Sequence, residues 1–450
     1  MTRLIEKVGY GFGDMSSSMF WKIFSYYLPF FYSNIFGLSM VDAGVLVLVT
    51  RIWDAVSDPM MGIIADRTKT RWGKYRPYLL WVAPLFSVAG ILLFITPDWE
   101  YGAKLIWAYV TYILMMTVYT AINVPYGSML GVMTSDPQEK TVFSSFRMFF
   151  AYAGSFIALA CWEPLCRLFG SGAHGYQMAM VVIAVCCLVL FVLCFLLTKE
   201  HVSSQSTVSV GADFKSLLSN KPWWLLIGAA LGSNLFNTVR GATVAYFFAD
   251  VIPAGATVLG IVFYAGLFLG VGEVCNMAGV ALAVPITKKL GKKSTFMLMN
   301  GLLAVLSIAF FFIPVSNGGF LLMLLLQVLI SLCTGVISPL VWSMYADVSD
   351  YAELRYKTAS TGLIFSSGSM SQKFGCAIGG SAIMWLLGAC GYSPDNAVQP
   401  ASAINCLWWL ISFVPALVAA LSLLVAWFYP LTTKRVEEIN RELKAIRREG

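Results

Sequence analysis

Long apolar runs fill most of the chain, and each run ends at a cluster of charged or turn-forming residues. A helix that crosses a bilayer needs about 20 consecutive apolar residues, whereas a strand of a membrane β-barrel has about 10 residues of alternating pattern. The runs are of the helical kind. They predict twelve membrane spans, over residues 10–37, 39–65, 77–97, 102–133, 142–167, 176–199, 221–251, 257–285, 295–315, 319–348, 358–391 and 402–429.

The longest polar connection, residues 200–220, lies near the middle of the chain. We interpret it as a cytoplasmic linker between two six-helix bundles, residues 1–199 and 221–429, with a cytoplasmic tail over 430–450. A basic loop containing glycine follows the second span of each half, which indicates an internal repeat of the kind found in transporters. The predicted fold class is an all-α polytopic membrane protein with 12 transmembrane helices in two pseudo-symmetric six-helix bundles.

The composition supports this prediction. Hydrophobic residues make up 58% of the 450 residues and charged residues 12%, against about 45–50% and 25% in soluble domains. A soluble enzyme, a disordered chain and a nucleic-acid-binding domain are therefore excluded. Most Lys and Arg residues fall in loops on the side shared by both termini, which places both termini in the cytoplasm. We expect the spans to lie in the plasma (inner) membrane. The net charge of +7 follows from this topology.

Cysteine and histidine limit the chemistry within the spans. The ten cysteines are scattered, and we interpret them as small apolar fillers, with a Cys161–Cys166 disulfide as the alternative. Both histidines, His174 and His201, fall in predicted loops. A zinc cluster, a histidine proton relay and a nucleophile–histidine pair within the spans are thereby excluded, so we expect no enzyme and no cofactor. Cation chemistry in the apolar zone has to use carboxylates.

The second span carries three charged residues on one helical face. Arg51, Asp54 and Asp58 are spaced i, i+3 and i+7. Two neighbouring carboxylates in a low dielectric repel each other, so one takes a proton or a cation lies between them. Ser57 adds a hydroxyl suited to a hard cation such as sodium. The coupling ion is left open between Na⁺ and H⁺. In the alternative, Arg51 simply neutralises Asp54.

Other polar or aromatic residues within the spans are candidates for a substrate site, because a buried ionisable group is costly and a sugar ring stacks on aromatic faces. They are Ser18, Lys22, Tyr119, Asn123, Arg147, Trp342 and Lys373, with Thr120 as a further hydroxyl in the fourth span and Trp53 as a further aromatic. We expect Glu273 in the eighth span to pair with Arg240 or Lys22.

Six motifs spread over nearly the whole chain are specific in combination. They are Tyr10–Asp14, Arg51–Gly62, Arg71–Pro77, Asn123–Ser128, Ala346–Glu353 and Lys373 with the glycines after it. At these residues the sequence resembles the glycoside–pentoside–hexuronide:cation symporters, the melibiose permease type within the major facilitator superfamily. The resemblance implies the major facilitator fold.

The resemblance also implies roles for individual residues. Asp54 and Asp58 would bind the coupling cation, with Thr120 and Ser57 contributing oxygens. Arg147 and Lys373 would reach a sugar cavity between the halves. Acidic residues of the tenth span and basic residues of the first cytoplasmic loop would form a cytoplasmic gate: Asp347, Asp350 and Glu353 with Arg67, Arg71, Lys74 and Arg76.

Departures from the family pattern affect the substrate. Acidic residues that hold galactoside hydroxyls in the melibiose permease are matched here by Ser18 and Asn123, and Lys22 adds a positive charge one turn from Ser18. A site with Lys22, Arg147 and Lys373 and with fewer carboxylates favours an acidic sugar such as a glucuronide, or else a different neutral glycoside.

The function predicted from the sequence is symport of a sugar or glycoside, coupled to Na⁺ or H⁺, by alternating access. A hexuronide is one option for the substrate. An uncoupled sugar facilitator or a lysolipid transporter of the same superfamily is the alternative, because one architecture serves both. The expected partners are the small-molecule sugar, the coupling cation and the lipid bilayer, with no nucleic acid.

Overall fold

The computed structural model describes residues 2–134, 137–201, 217–253, 255–258, 260–356, 361–396 and 398–449. Most of the predicted linker, residues 202–216, lies outside these ranges. The first half of the chain forms α1 (Thr2–Tyr26), α2 (Leu28–Phe30), a π-helical turn (Phe31–Ile35), α3 (Met40–Arg67), α4 (Arg76–Trp81), α5 (Ala83–Leu93), α6 (Tyr101–Met133), α7 (Pro137–Leu168) and α8 (Gly172–Leu197).

The second half is also helical apart from one short hairpin. It forms α9 (Lys221–Asp250), β1 (Ala256–Val258), β2 (Ile261–Phe263), α10 (Ala265–Leu290), α11 (Lys292–Phe311), α12 (Asn317–Tyr356), α13 (Thr361–Ala389), α14 (Ala401–Ile411), α15 (Phe413–Trp427) and α16 (Thr433–Glu449). Helix is present at all twelve predicted spans within the described residues. The first, third and twelfth spans are each divided into shorter helical pieces.

The start of the eighth span was predicted incorrectly. The span was expected from residue 257, but Ala256–Val258 and Ile261–Phe263 pair as an antiparallel hairpin, and the helix begins at Ala265. Gly255 and Gly260 have φ of +71° and +79°, which interrupts a helix at both positions. Thr257 and Val258, which lie between these glycines, are β-branched and suit a strand.

The tail also contains structure that the sequence did not predict. Thr433–Glu449 forms α16, whose Ile439 and Leu443 are buried in the same hydrophobic core as α12. This helix is strongly charged and its apolar stripe is narrow, so the sequence here does not have the pattern of a membrane span.

Seven helical stretches in the described residues are long and apolar enough to cross a membrane. They are Tyr101–Leu130, Val142–Leu168, Gly172–Leu197, Ala265–Leu290, Lys292–Phe311, Gly318–Tyr356 and Ala401–Trp427. The helices α1 and α3, which carry several of the candidate charges, are outside this set. Polar residues within a span are the usual sign of function rather than of lipid contact.

The described residues pack into two compact units. The first unit is formed from residues 1–205, 241–274 and 380–406, and the second from residues 206–240, 275–379 and 407–450. The first unit therefore includes segments from the second half of the chain, and the bundle boundaries given above stay a prediction. In the second unit, α11 packs against α12 and α15 around a core that contains Phe296, Leu303 and Ala419.

Within the first unit, α1 packs closely against α7 and α8. A Cβ atom added at Gly11 would lie 2.4 Å from the Phe150 ring, and one added at Gly154 would lie 2.5 Å from the carbonyl oxygen of Met15. Small residues at these points let the helix backbones approach each other, as is common in membrane bundles. This close packing brings the polar face of α1 next to polar side chains of α7.

Candidate functional site

Two carboxylates of α3 meet one hydroxyl of α6. Thr120 Oγ1 lies 3.0 Å from Asp54 Oδ1 and 2.9 Å from Asp58 Oδ1. Ser57 Oγ lies 3.2 Å from the same Thr120 oxygen and donates to the main-chain oxygen of Asp54 at 3.0 Å. Asp54, Ser57 and Thr120 are buried. The residues predicted to bind a cation are therefore close together, with their side-chain oxygens directed at one point.

The Thr120 hydroxyl cannot donate a hydrogen bond to both carboxylates at once. A threonine hydroxyl has one proton to donate, so Thr120 can donate to Asp54 or to Asp58, and its lone pairs then face the other carboxylate. A proton on one of the acids removes the conflict, because the protonated acid donates to the threonine oxygen. A small cation among the oxygens removes it as well, because oxygen lone pairs are its ligands.

Arg51, on the same face of α3, is stacked on an aromatic ring of α1. Its Cζ atom lies 4.5 Å from the centroid of the Trp21 ring, and its Nη1 lies 4.0 Å from Met116 Sδ. The side chain is buried. The aromatic face attracts the guanidinium electrostatically. Neutralisation of Asp54 by Arg51 stays an alternative.

A second polar cluster lies along one face of α1. Asp14, Ser18 and Lys22 follow each other at intervals of four residues, which places them on one stripe. Asp14 Oδ2 accepts a hydrogen bond from Arg147 Nε of α7 at 2.8 Å. At the other end of the stripe, Lys22 Nζ donates to Glu273 Oε1 of α10 at 2.7 Å. We call these four charged residues the α1 cluster.

The partner of Glu273 is thus Lys22, one of the two predicted. Arg240 instead donates to the carbonyl oxygen of Ile411 at 2.7 Å and to Gln327 Oε1 at 2.8 Å. The pairing of Asp14 with Arg147 was missed, although Asp14 ends one of the motifs named above. Its position one turn before Ser18, on a helix that also carries Lys22, is the signal that could have identified it.

The remaining predicted substrate residues lie in both units. Asn123 donates its side-chain amide to the carbonyl oxygen of Tyr119 at 3.1 Å, and the Tyr119 ring packs on Trp21 with centroids 5.6 Å apart. Both belong to the first unit. In the second unit, Lys373 is half-buried on α13, and Trp342 is exposed on α12, 5.7 Å from the Tyr345 ring centroid. Trp53 is exposed and donates to Thr117 Oγ1 at 2.8 Å.

The first basic loop, residues 67–76, is anchored by an acid that the sequence did not single out. The carboxylate of Glu200, just after α8, accepts the backbone N–H groups of Lys74, Tyr75 and Arg76 at 2.7 to 2.8 Å. Gly73 has φ of +118°, and a Cβ there would lie 2.5 Å from Glu200 Cδ. The loop therefore forms a backbone cradle for a carboxylate. A side chain at position 73 would overlap the Glu200 carboxylate, so only glycine fits there.

The basic side chains of this loop have several environments. Arg76 donates from Nε to the carbonyl oxygen of Phe195 at 2.8 Å, while Arg67 and Arg71 are exposed. Lys74 lies over the Tyr75 ring, 5.0 Å from its centroid. These contacts hold the loop to the end of α8. Their predicted role in a gate stays a prediction.

Among the predicted acidic gate residues, Asp347 has a lysine partner in the second basic loop. Lys292 Nζ lies 2.7 Å and 2.8 Å from the two carboxylate oxygens of Asp347. Both residues belong to the second unit, where Asp350 and Glu353 are half-buried on the same helix, α12. Lys292, the first residue of α11, therefore fixes the carboxylate of Asp347.

The cysteines agree with the simpler prediction. Cys161 and Cys166 are both free thiols in α7. The alternative of a disulfide between them is wrong, because the two residues lie on one continuous helix with their side chains in different surroundings: Cys161 is exposed and Cys166 is buried.

The comparison that decides the family covers almost the whole chain. Residues 9–433 match the family model of MFS/sugar transport proteins. The chain belongs to this family. Its members are transporters and not enzymes, as the sequence predicts. The match also confirms the resemblance found in the motifs. The nearly all-helical architecture with its membrane spans confirms the predicted fold class.

Curated relatives extend over nearly the full length. The inner membrane symporter YicJ of Escherichia coli (strain K12) is 34% identical over 442 residues, covering 97% of this chain and 94% of its own length. The isoprimeverose transporter of Lactiplantibacillus pentosus is 35% identical, covering 98% and 90%. The glucuronide carrier protein homolog of Escherichia coli (strain K12) is 30% identical, covering 97% and 94%.

Solved structures share the fold at low sequence identity. The nucleoside transporter NupG matches with a TM-score of 0.68 at 13% identity, covering 95% of this chain and 100% of its own. A bacterial homologue of the human drug peptide transporters PepT1 and PepT2 matches with a TM-score of 0.72 at 13% identity, covering 98% and 100%. These likenesses concern the fold alone.

Proposed function

We propose that the protein is a secondary active transporter that couples inward movement of a cation to uptake of a sugar or glycoside by alternating access. The observation that carries the proposal is the meeting of Asp54, Asp58 and Thr120, where one hydroxyl proton serves two carboxylates at 3.0 and 2.9 Å. A site of this kind gains stability from a mobile positive charge. The names of the relatives, a symporter and an isoprimeverose transporter, support coupling and a sugar substrate.

The geometry suits either of two coupling ions. Sodium is a hard cation and prefers carboxylate and hydroxyl oxygens, which Asp54, Asp58, Thr120 and Ser57 supply. A proton suits the same acids, since two neighbouring carboxylates share one readily. Asp54 and Asp58 bind the coupling ion whether it is sodium or a proton. Thr120 and Ser57 complete the site if the ion is sodium.

The energy available from one cation is sufficient for accumulation. One charge that moves inward gains about 2.3 kcal/mol per 100 mV of membrane potential, which corresponds to a sugar gradient of about 50-fold. Coupling requires that the cation and the sugar each increase the affinity for the other. Arg51 of α3 lies over the Trp21 ring of α1, and this ring packs on Tyr119 of α6. These contacts join the helix that carries Asp14 and Lys22 to the two helices of the proposed cation site, so such an effect can pass through them.

For the sugar, we propose a site whose members bind hydroxyl groups and stack on the ring: Ser18, Lys22, Tyr119, Asn123, Arg147, Trp342 and Lys373. We further propose that the basic loop (Arg67, Arg71, Lys74 and Arg76) and the acids of α12 (Asp347, Asp350 and Glu353) act in a cytoplasmic gate. Both termini lie in the cytoplasm in this proposal, with the protein in the inner membrane, as the name of the relative YicJ supports.

Transport by the purified protein in proteoliposomes tests the coupling. Uptake of a panel of radiolabelled sugars and glycosides is measured with an inward sodium gradient, with an inward proton gradient and with neither. We expect one of the two gradients to drive accumulation of at least one panel member. Asp54→Asn and Asp58→Asn should abolish accumulation while retaining sugar exchange, because exchange needs no net cation movement.

Asp42→Asn is the matched control, since Asp42 lies on the same helix α3 but bonds Tyr101 and Ser39 near an exposed end. It should accumulate sugar like the wild type. Full accumulation by both Asp54→Asn and Asp58→Asn would refute the cation site. Sugar uptake that never exceeds equilibrium in any gradient would instead identify an uncoupled facilitator, and uptake of lysolipid without sugar would identify a lysolipid carrier.

A further inference from the structure

The α1 cluster contains two ion pairs that together carry no net charge. Asp14 pairs with Arg147 and Lys22 pairs with Glu273, with Ser18 between the two pairs on the same stripe of α1. A positive site with few carboxylates was the basis for expecting an acidic sugar. Asp14 and Glu273 supply the missing negative charges.

The two pairs differ in how far their side chains are accessible. The Arg147 and Asp14 side chains are 36% and 15% accessible, whereas Lys22 and Glu273 are 20% and 4% accessible. Since a charge that faces hydrocarbon is costly, the accessible part of the Asp14–Arg147 pair is expected to face a water-filled interior. A solute in that interior can reach this pair, while Glu273 is enclosed.

The Asp14–Arg147 pair offers both kinds of hydrogen-bonding group. The bond between them uses Arg147 Nε and Asp14 Oδ2. A guanidinium has four further N–H donors on its terminal nitrogens, and a carboxylate accepts more than one bond. Adjacent hydroxyls of a sugar ring act as donor and acceptor, so one can donate to Asp14 while its neighbour accepts from Arg147.

We propose that Asp14 is a specificity-determining residue that binds sugar hydroxyls together with Arg147 and makes the site select uncharged glycosides over uronides. This proposal rests on the function proposed above. A substrate carboxylate next to Arg147 meets the negative charge of Asp14, and like charges at close range oppose binding. A substrate carboxylate that took Lys22 would leave the enclosed Glu273 without its cation, which is also unfavourable.

Binding to the purified full-length protein tests the proposal. Titration calorimetry compares the para-nitrophenyl β-glucoside and β-xyloside with the para-nitrophenyl β-glucuronide, all in the presence of saturating sodium at a fixed pH. The quantity is the ratio of dissociation constants, uronide over the better neutral glycoside. We expect a ratio of about 10 or more in the wild type.

Variants at the pair should move this ratio in opposite directions. Asp14→Asn removes the negative charge beside Arg147 and should lower the ratio about 10-fold or more, while Asp14→Glu should keep the neutral preference. Arg147→Gln removes the cation that a uronide would use and should raise the ratio. Asp42→Asn, a distant acid-to-amide change, should leave it unchanged.

A purely structural role for Asp14 would reduce the amount of folded protein without changing the ratio, so an unchanged ratio in Asp14→Asn overturns the proposal. If Asp14→Asn does not fold, the direction given by Arg147→Gln decides in its place. A wild type that prefers the uronide also overturns the proposal, while cation-driven accumulation could still be intact. If no panel member binds and no gradient drives uptake, both proposals fall.

Discussion

The first unit contains two different arrangements of carboxylates within its helices. In the α1 cluster, each acid has its own protein cation, at 2.8 Å for Asp14 and 2.7 Å for Glu273. In the proposed cation site on α3 and α6, Asp54 and Asp58 both lie within 3.0 Å of one threonine hydroxyl, which has a single proton to donate. We expect the two ion pairs to maintain the structure, and we expect the two carboxylates that share a hydroxyl to respond to a cation from solution.

The largest expected effect comes from breaking the enclosed pair of the α1 cluster. Lys22→Met leaves the Glu273 carboxylate buried without its cation, which should cost about 3–5 kcal/mol of stability. Thermal unfolding of the purified protein in detergent measures it. The double variant Lys22→Met/Glu273→Gln removes both charges and should recover most of the loss.

The exposed pair Arg435–Glu438 on α16 offers a matched control. Arg435→Met should leave the unfolding temperature nearly unchanged, because exposed ion pairs contribute little. If Lys22→Met changes the unfolding temperature as little as this control does, the Lys22–Glu273 pair does not stabilise the fold as proposed.

A smaller effect, on function rather than stability, is expected at the cation site. Thr120→Ala removes the hydroxyl that both acids share, and a hydrogen bond to a charged group contributes about 1.5–3 kcal/mol. The cation concentration for half-maximal uptake should therefore rise by about 10-fold to 100-fold. Thr120→Ser keeps the hydroxyl and should stay near the wild-type value.

Thr117 lies on the same helix, but its hydroxyl donates to Ile113 and accepts from Trp53 on an exposed face. Thr117→Ala should not change the cation dependence. An equal shift in both threonine variants would mean that the helix, and not the shared hydroxyl, is responsible.

The smallest effect is expected at Ser57. Its hydroxyl donates to the backbone carbonyl of Asp54 and lies 3.2 Å from Thr120 Oγ1, so it contacts the carboxylates only through these groups. Ser57→Ala should raise the cation concentration for half-maximal uptake by a few-fold, which corresponds to about 1 kcal/mol. The same uptake titration measures it. A larger effect than that of Thr120→Ala would reverse the order of ligands and place the serine at the centre of the site.

The sequence predicts best what depends on local spacing. Asp54 and Asp58 lie one turn apart on one helix, so their proximity needs no knowledge of tertiary structure, and the apolar runs locate the spans for the same reason. The contact of Thr120 with the two aspartates was predicted from the resemblance. Lys22 was predicted as one of two partners of Glu273, because a buried charge is costly.

Features that depend on distant contacts were missed. The bond between Arg147 and Asp14 joins residues 133 positions apart, and Glu200 reaches the loop at Lys74 across 126 positions. An acid such as Asp14 or Glu200 looks like an ordinary solvated charge until its partner is known. The hairpin at Ala256–Phe263 was missed for another reason, since a short apolar run is equally typical of strand and helix.

The Lys22–Glu273 pair has a consequence for biosynthesis. The two residues are 251 positions apart in the chain, and a ribosome adds about 5–20 residues per second. Lys22 is thus made about 10 to 50 seconds before its counter-ion, and the first helix has to enter the bilayer as a nascent segment with that amine still awaiting its partner. Insertion of α1 is then completed by α10, and a chain truncated between the two should be a substrate for membrane quality control.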